Sequence, residues 1–280
     1  MKPETFASGL CFGEGPRWHE GRLYLSDMHD HCVLAFTPDG RRETIVTVEH
    51  WPSGLGWTPD GALLVVSMTD RRVLRFDGAT LEEHADLSRL ASFHCNDMVV
   101  DASGGAYVGN FGFDLHTGAA FHAAELIRVE PDGRARIVAT DMAFPNGTVI
   151  TPDGRTLIVA ESYAGRLTAF DIDANGELGN RRIWASLPDR VVPDGICLDS
   201  ASGIWVASPT TNECLRVEAG GRVSHRIALE HGAYACMLGG DDRRTLYMLT
   251  AQSSDPAQCR RNRDGRIETI TAPHPGAGLP

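Results

Sequence analysis

Short runs of alternating apolar and polar residues recur along this chain, each in the same order. The stretches 21–36 (GRLYLSDMHDHCVLAF), 61–76 (GALLVVSMTDRRVLRF), 154–173 (GRTLIVAESYAGRLTAFDID) and 203–221 (GIWVASPTTNECLRVEAGG) share one plan. Each opens on a turn, passes through a β-rich strand, a polar loop and a second strand, and closes on an Asp or Gly turn. Two further copies are interrupted, one over 104–133 and one over 244–270. The turns are explicit at Pro38-Asp39-Gly40, Pro59-Asp60-Gly61, Pro131-Asp132-Gly133 and Pro152-Asp153-Gly154, where proline presets φ and glycine accepts a positive one. Repeats start at Gly21, Gly61, Gly104, Gly154, Gly203 and Arg244, with spacings of 40, 43, 50, 49 and 41. Six units of roughly 47 residues fit a four-stranded propeller blade. The pattern predicts an all-β, six-bladed β-propeller spanning 1–280 as a single domain. The residues before Cys11 are expected to add a strand to the last blade and so close the ring without an exposed edge. No segment sustains a 3.6-residue apolar period; 80–90 comes nearest and is expected to form one helical turn.

Just before each repeat lies a short apolar segment whose leading residue is comparable from copy to copy. In a propeller the first strand of each blade lines the central channel, so these residues are expected to form a ring: Glu14, Ser53, Asn96, Asn146, Asp194 and Ala235. Asn-Gly and Asp-Gly are also ordinary turn formers, so 146–147 and 194–195 taken singly would need no function. In register, however, they bring two carboxylates and two amides together. Carboxylates crowded in a partly desolvated channel are costly unless a cation joins them. An all-oxygen set suits one hard divalent ion, Ca²⁺, Mg²⁺ or Mn²⁺, better than a soft metal, with Zn²⁺ left open.

Composition narrows the field. The 280 residues are 42% hydrophobic and carry a net charge of −11, which argues against disorder and against a nucleic-acid partner. Lys2 is the only lysine, which removes Schiff-base chemistry and the phosphate-binding loop ending in Gly-Lys-Ser/Thr. The first residues lack the apolar core of a secretion signal, and no apolar run is long enough for a membrane span. Seven scattered cysteines with no Cys-x-x-Cys fit a reducing cytoplasm better than a disulfide framework. Gly-x-Ser-x-Gly and Gly-x-Gly-x-x-Gly are both absent. The histidines at 29, 31, 116 and 122 lack metal-site spacing and are read as solvated loop residues, whereas His94, two residues before Asn96, falls near the ring. The tail 273–280 reads as an extended end with no assignable role.

At Gly13-Glu14-Gly15-Pro16-x-Trp18, Asn96-Asp97, Pro145-Asn146-Gly147, Pro193-Asp194-Gly195 and the stretch 239–247, the chain resembles the SMP-30/gluconolactonase/luciferin-regenerating-enzyme family. The resemblance implies a six-bladed propeller that hydrolyses lactones with one divalent metal in its channel. It implies Glu14, Asn146 and Asp194 as metal ligands, Asn96 beside metal and substrate, and Asp194 as general base; Asp97 is read as a residue that holds Asn96. Sugar-lactone members typically carry an arginine where this chain has His94, and a glutamate where it has the shorter Asp114. Phe111 and Phe113 flank that aspartate in the inserted loop 111–124, and Phe93, Trp51, Met68, Met142 and Tyr163 fall in segments expected at the same mouth. His94, Asp114, Phe111 and Phe113 are therefore expected substrate contacts, and the substrate is expected to be a lactone or ester less polar than a free aldonolactone. The competing expectations are a non-catalytic metal- or small-ligand-binding propeller and a peptide-binding scaffold with a large apolar face.

Overall fold

A computed structural model describes residues 2–115 and 117–280; His116 lies outside the described residues. It contains six four-stranded antiparallel sheets arranged as blades. Their innermost strands are Gly13–His19, Pro52–Trp57, Cys95–Val100, Pro145–Ile150, Ile196–Leu198 and Gly232–Gly239, and they define blades 1 to 6 in chain order. The ring closes as the sequence pattern predicts. The first strand, Glu4–Leu10, pairs antiparallel with Gly265–Thr271 and becomes the outer edge of blade 6. Asp27 secures the passage from that edge strand to the innermost strand of blade 1. It is fully buried, and its two oxygens accept the backbone N–H groups of Cys11 and Phe12 at 3.0 and 2.7 Å.

Strand alternation explains why the blades stack. Side chains facing one way from each sheet meet those of the next blade, as in the buried cluster of Val99, Tyr107, Leu126, Ile150, Val159 and Phe170 between blades 3 and 4. The repeat extends to its ion pairs. In blades 3 and 5 an aspartate at the first turn, Asp101 or Asp199, accepts local backbone N–H groups and binds a buried arginine from the third strand, Arg128 or Arg216.

Two expectations are corrected. The segment 80–90 is strand for most of its length, Leu81–Asp86 being the outer strand of blade 2; its single helical turn comes only at the end, where the Leu90 and Ala91 N–H groups both donate to Leu87 O. Helix appears instead at Pro256–Asn262, inside the interruption of the sixth repeat. Asp255 caps it by accepting the Gln258 N–H at 2.8 Å, with Pro256 in the first turn. The tail also has a structural place. Leu279 exchanges backbone hydrogen bonds with Ile150, and Ala277 N–H donates to Leu198 O, so the tail straps the far ends of the inner strands of blades 4 and 5. All seven cysteines are free and buried. Among the described residues no helix is long and apolar enough to cross a membrane.

Candidate active site

The leading residues of the inner strands sit where those strands depart from regular pairing. Register shifts fall between Glu14 and Arg17, Pro52 and Leu55, Cys95 and Met98, Pro145 and Thr148, and Ala233 and Ala235. A bulge breaks the two-residue alternation and re-aims one side chain, which allows the ring residue to turn toward the channel while its strand stays in the sheet. The glycine after each ligand candidate has a packing role. A Cβ on Gly147 would lie 2.5 Å from Ile196 N, and one on Gly15, whose φ is +52°, would lie 2.5 Å from Ser53 O. Asn146-Gly147 and Glu14-Gly15 are therefore not turns; they are points where neighbouring inner strands touch.

A cavity of about 490 Å³ opens at this end of the channel, and Glu14, Asn96, Asn146 and Asp194 all face it. The other two ring positions do not. Ser53 is buried with its carbonyl accepting from Ser26 Oγ at 2.6 Å, and Ala235 packs in the core of blade 6. Their neighbours Trp51 and Tyr234 reach the cavity instead. Glu14 and Asp194 are half-buried, open only toward the cavity. Enclosure, joined by the charges of Asp194 and Asp97, holds the Glu14 carboxyl well above the usual carboxylate range. Asp194 is pushed up to about 8, chiefly by burial, with a hydrogen bond from Asn146 opposing the shift.

These shifts set a stability prediction for the cation-free protein. The folded chain keeps protons on Glu14 and Asp194 at pH values where the unfolded chain has released them. At these two groups the native state binds more protons than the unfolded one between about pH 4 and pH 8, so their contribution to stability falls as pH rises through that window. Thermal melts of chelated wild type and of chelated Glu14→Gln and Asp194→Asn across that range check the sign; a wild-type Tm that gains on both variants toward pH 8 contradicts it.

The remaining charge is accounted for beneath the floor. Asp97 is bound by Arg17 at 2.7 Å, and both are buried. Arg17 also donates to the carbonyl oxygens of Pro16, Leu55 and Met98, so one guanidinium joins blades 1, 2 and 3 around the channel. Asp97 thus supports the floor, and its charge is matched. The two amides are oriented by donation: Asn146 Nδ2 to Ser162 Oγ at 3.2 Å, and Asn96 Nδ2 to Pro145 O at 3.5 Å. Ser162 Oγ in turn donates to Pro193 O at 2.7 Å, which ties the Asn146 amide to the backbone beside Asp194. Among the described residues no group of three His, Cys, Asp or Glu converges as a metal site. The set at the floor is two carboxylates with amide oxygens, which suits a hard divalent ion and offers a soft one nothing.

The walls differ from the floor. Phe12, Met28, Trp51, Met68, Phe111 and Phe144 present apolar surface. Of the expected substrate contacts, Asn96 and Phe111 line the cavity. His94 stands behind the latter, its carbonyl accepting the Phe111 N–H at 2.9 Å and its ring stacked on Phe93 at 4.1 Å. Phe113 packs edge-on against Tyr163 at 5.1 Å, and Asp114 Oδ1 accepts the Thr117 N–H within its own loop. Trp51, Met68 and Tyr163 reach the mouth as expected; Met142 does not, being fully buried between blades 3 and 4.

His29 is a correction. It was expected to be solvated, yet it is 3% exposed, lines the cavity, stacks on Phe12 at 5.2 Å and approaches Ser254 O with Nε2 at 3.2 Å. Arg17, Ser162 and Tyr234 had no signal in the sequence reading. The Tyr234 hydroxyl is pushed up to about 12, first by burial and then by the charge of Asp194.

The fold is a six-bladed β-propeller with a cavity at the mouth of its channel, and comparison with known proteins supplies the family. The SMP-30/Gluconolactonase/LRE-like profile matches residues 12–252, and the chain belongs to that family. It is 27% identical over 244 residues to the pentonolactonase XacC of Haloferax volcanii, covering 85% of this chain and 81% of that one. Among solved structures it superposes on a luciferin-regenerating enzyme with a TM-score of 0.82 at 18% identity, covering 99% and 98% of the two chains. It superposes equally, at 0.82 and 20% identity, on a calcium-binding protein, regucalcin, from Agrobacterium tumefaciens, covering 99% of this chain and 95% of that one. At these identities the two superpositions establish the propeller fold.

Proposed function

We propose that this protein is a divalent-metal-dependent lactone hydrolase in which Glu14, Asn146 and Asp194 hold one ion and Asp194 also serves as general base. The observation that carries the reading is the pair of enclosed carboxylates at the cavity floor, neither of which has a basic partner among the described residues. With Asp97 matched by Arg17, two negative charges remain, the number a divalent cation neutralises. The names of the relatives agree, one a pentonolactonase and one a calcium-binding protein.

When bound there, a divalent ion supplies Lewis-acid polarisation of the ester carbonyl and makes a water more acidic. The chain's own groups do the rest. Asp194 takes a proton from the attacking water as its oxygen bonds to the carbonyl carbon. It returns that proton to the ring oxygen as the C–O bond of the ring breaks, leaving a hydroxy acid. Asn96 fixes the carbonyl end of the substrate, and the apolar walls exclude bulk water. Phe111 contacts the substrate; His94, Phe113 and Asp114 hold the loop that presents it. The Phe12, Met68 and Phe144 surfaces offer a polyhydroxylated sugar few partners, so the substrate is less polar than a free aldonolactone.

Proton release from a panel of sugar, aliphatic and aromatic lactones, with chelated protein and with protein refilled by Ca²⁺, Mn²⁺, Mg²⁺ or Zn²⁺, tests this. The expected result is turnover that chelation removes and one or more of these ions restore. One ion bound per chain with no turnover on any lactone would leave a metal-binding propeller in place of an enzyme.

A further inference from the structure

The described chain exposes five large apolar side chains, Leu115, Phe121, Ile137, Tyr163 and Ile183. Scattered single exposures need no explanation, but three of these five converge at the cavity mouth. Leu115 and Tyr163 line the cavity, and Phe121, 52% exposed, stacks on Tyr163 at 5.9 Å with the planes 19° apart. From Tyr163 the stack continues inward to Phe144 at 5.5 Å and then to Phe111 at 4.4 Å, each pair within 28° of parallel. Phe111 and Phe144 are buried and line the cavity wall; Phe113 braces the row edge-on. Four rings thus form one continuous apolar rail that begins at Phe111 on the cavity wall and ends in solvent.

Two blades build the rail. The loop 111–124 of blade 3 contributes Phe111 and Phe121, and the segment linking strands of blade 4 contributes Tyr163. Core packing does not require the outer half, because Tyr163 and Phe121 are each about half exposed. Leaving Leu115, Phe121 and Tyr163 side by side in water forfeits burial that a bound apolar group restores, at about 25 cal/mol for each Å² covered. The opposite lip, near Thr210 and Ser254, is polar by comparison.

We infer that the substrate carries an alkyl or aryl substituent that lies along the Phe111–Phe144–Tyr163–Phe121 rail, from the cavity wall to the mouth. The inference rests on the hydrolase reading for its chemistry, and on the rail alone for its binding. A lactone bearing only hydroxyls leaves the rail wet and gains nothing from it. A chain of several carbons covers it ring by ring.

The test is a series of γ-lactones whose alkyl substituent grows from methyl to hexyl, with gluconolactone as the polar member. For metal-loaded protein kcat/KM is expected to rise about fourfold for each methylene seated. Calorimetric Kd values for the same series on the Asp194→Asn protein are expected to fall in parallel. Phe121→Ser and Tyr163→Ser should each flatten the long end of both series. Ile183→Ser, equally exposed but on the outer strand of blade 4, should keep the full slope and so controls for nonspecific effects on folding. Chain-length-dependent binding without turnover would keep the rail and remove the hydrolase reading. Turnover with a flat series, or a preference for gluconolactone, would keep the hydrolase and overturn the rail.

Discussion

Asp194→Asn is expected to lower kcat/KM by about a thousandfold or more on any lactone the wild-type protein hydrolyses. Asparagine keeps the volume and one oxygen at the cavity floor, so the backbone bonds of Asp194 N–H to Ala207 O and of Gly147 N–H to Asp194 O persist. What disappears is the group that accepts the proton from water and returns it to the ring oxygen. One negative charge also leaves the floor, so ion affinity falls, and the assay must be run at saturating metal to separate the two losses. The same substitution has an opposite effect on the cation-free fold. Burial raises the proton affinity of both Glu14 and Asp194, and the charge of Asp194 adds to the shift at Glu14, so removing that charge relieves its own burial cost and the repulsion on Glu14. Chelated Asp194→Asn protein should therefore melt higher than chelated wild type above neutral pH. A variant that retains turnover within tenfold at saturating metal would shift the base to another group, with Glu14 next in position.

The meeting of these residues at one cavity was within reach of the sequence because they repeat, whereas the base role of Asp194 is what the family resemblance implies. Glu14, Asn146 and Asp194 head equivalent segments, and a strand that alternates its faces has to present equivalent residues to one axis. Blade number and ring closure followed from the same periodicity. The sequence misled where one copy departs from its siblings. Ser53 and Ala235 occupy ring positions by count, yet they are buried in their sheets while Trp51 and Tyr234 reach the cavity. The helix Pro256–Asn262 was legible in principle from Asp255-Pro256, a capping residue followed by a first-turn proline. At seven residues it is too short to show a helical period.

His29 was misread for a related reason. A polar loop between two strands faces solvent in an isolated hairpin, but at the top of a propeller it faces the channel. There Ser254, from a blade distant in sequence, gives the imidazole its partner. Pairing across the ring joins residues more than two hundred positions apart, as Arg263 with Asp30 also does, and local pattern carries no trace of it. The Arg17–Asp97 pair belongs to the same class, spanning 80 positions.

Breaking that pair is expected to destabilise the protein and, depending on which side is removed, to move ion affinity in opposite directions. Arg17→Met leaves a buried carboxylate without its basic partner and takes one donor from each of three carbonyl oxygens. Removal of one member of a buried pair costs about 3–5 kcal/mol, a fall in Tm on the order of 10 °C for a chain of this size. Asp97→Asn strands the guanidinium instead and should cost a similar amount. The cation site feels the two changes differently, because Asp97 raises the proton affinity of Glu14 and Arg17 lowers it. Without Arg17 the floor faces an additional unmatched anion and binds a divalent ion more tightly, so saturating metal should raise Tm by more than it does in wild type. Without Asp97 the floor faces an unmatched cation, and the metal-induced rise in Tm should shrink. Calorimetric Kd values and melts with and without metal on both variants check the signs together. If both variants lose ion affinity equally, the pair acts only by holding blades 1, 2 and 3 in place, and its charge has no part in the site.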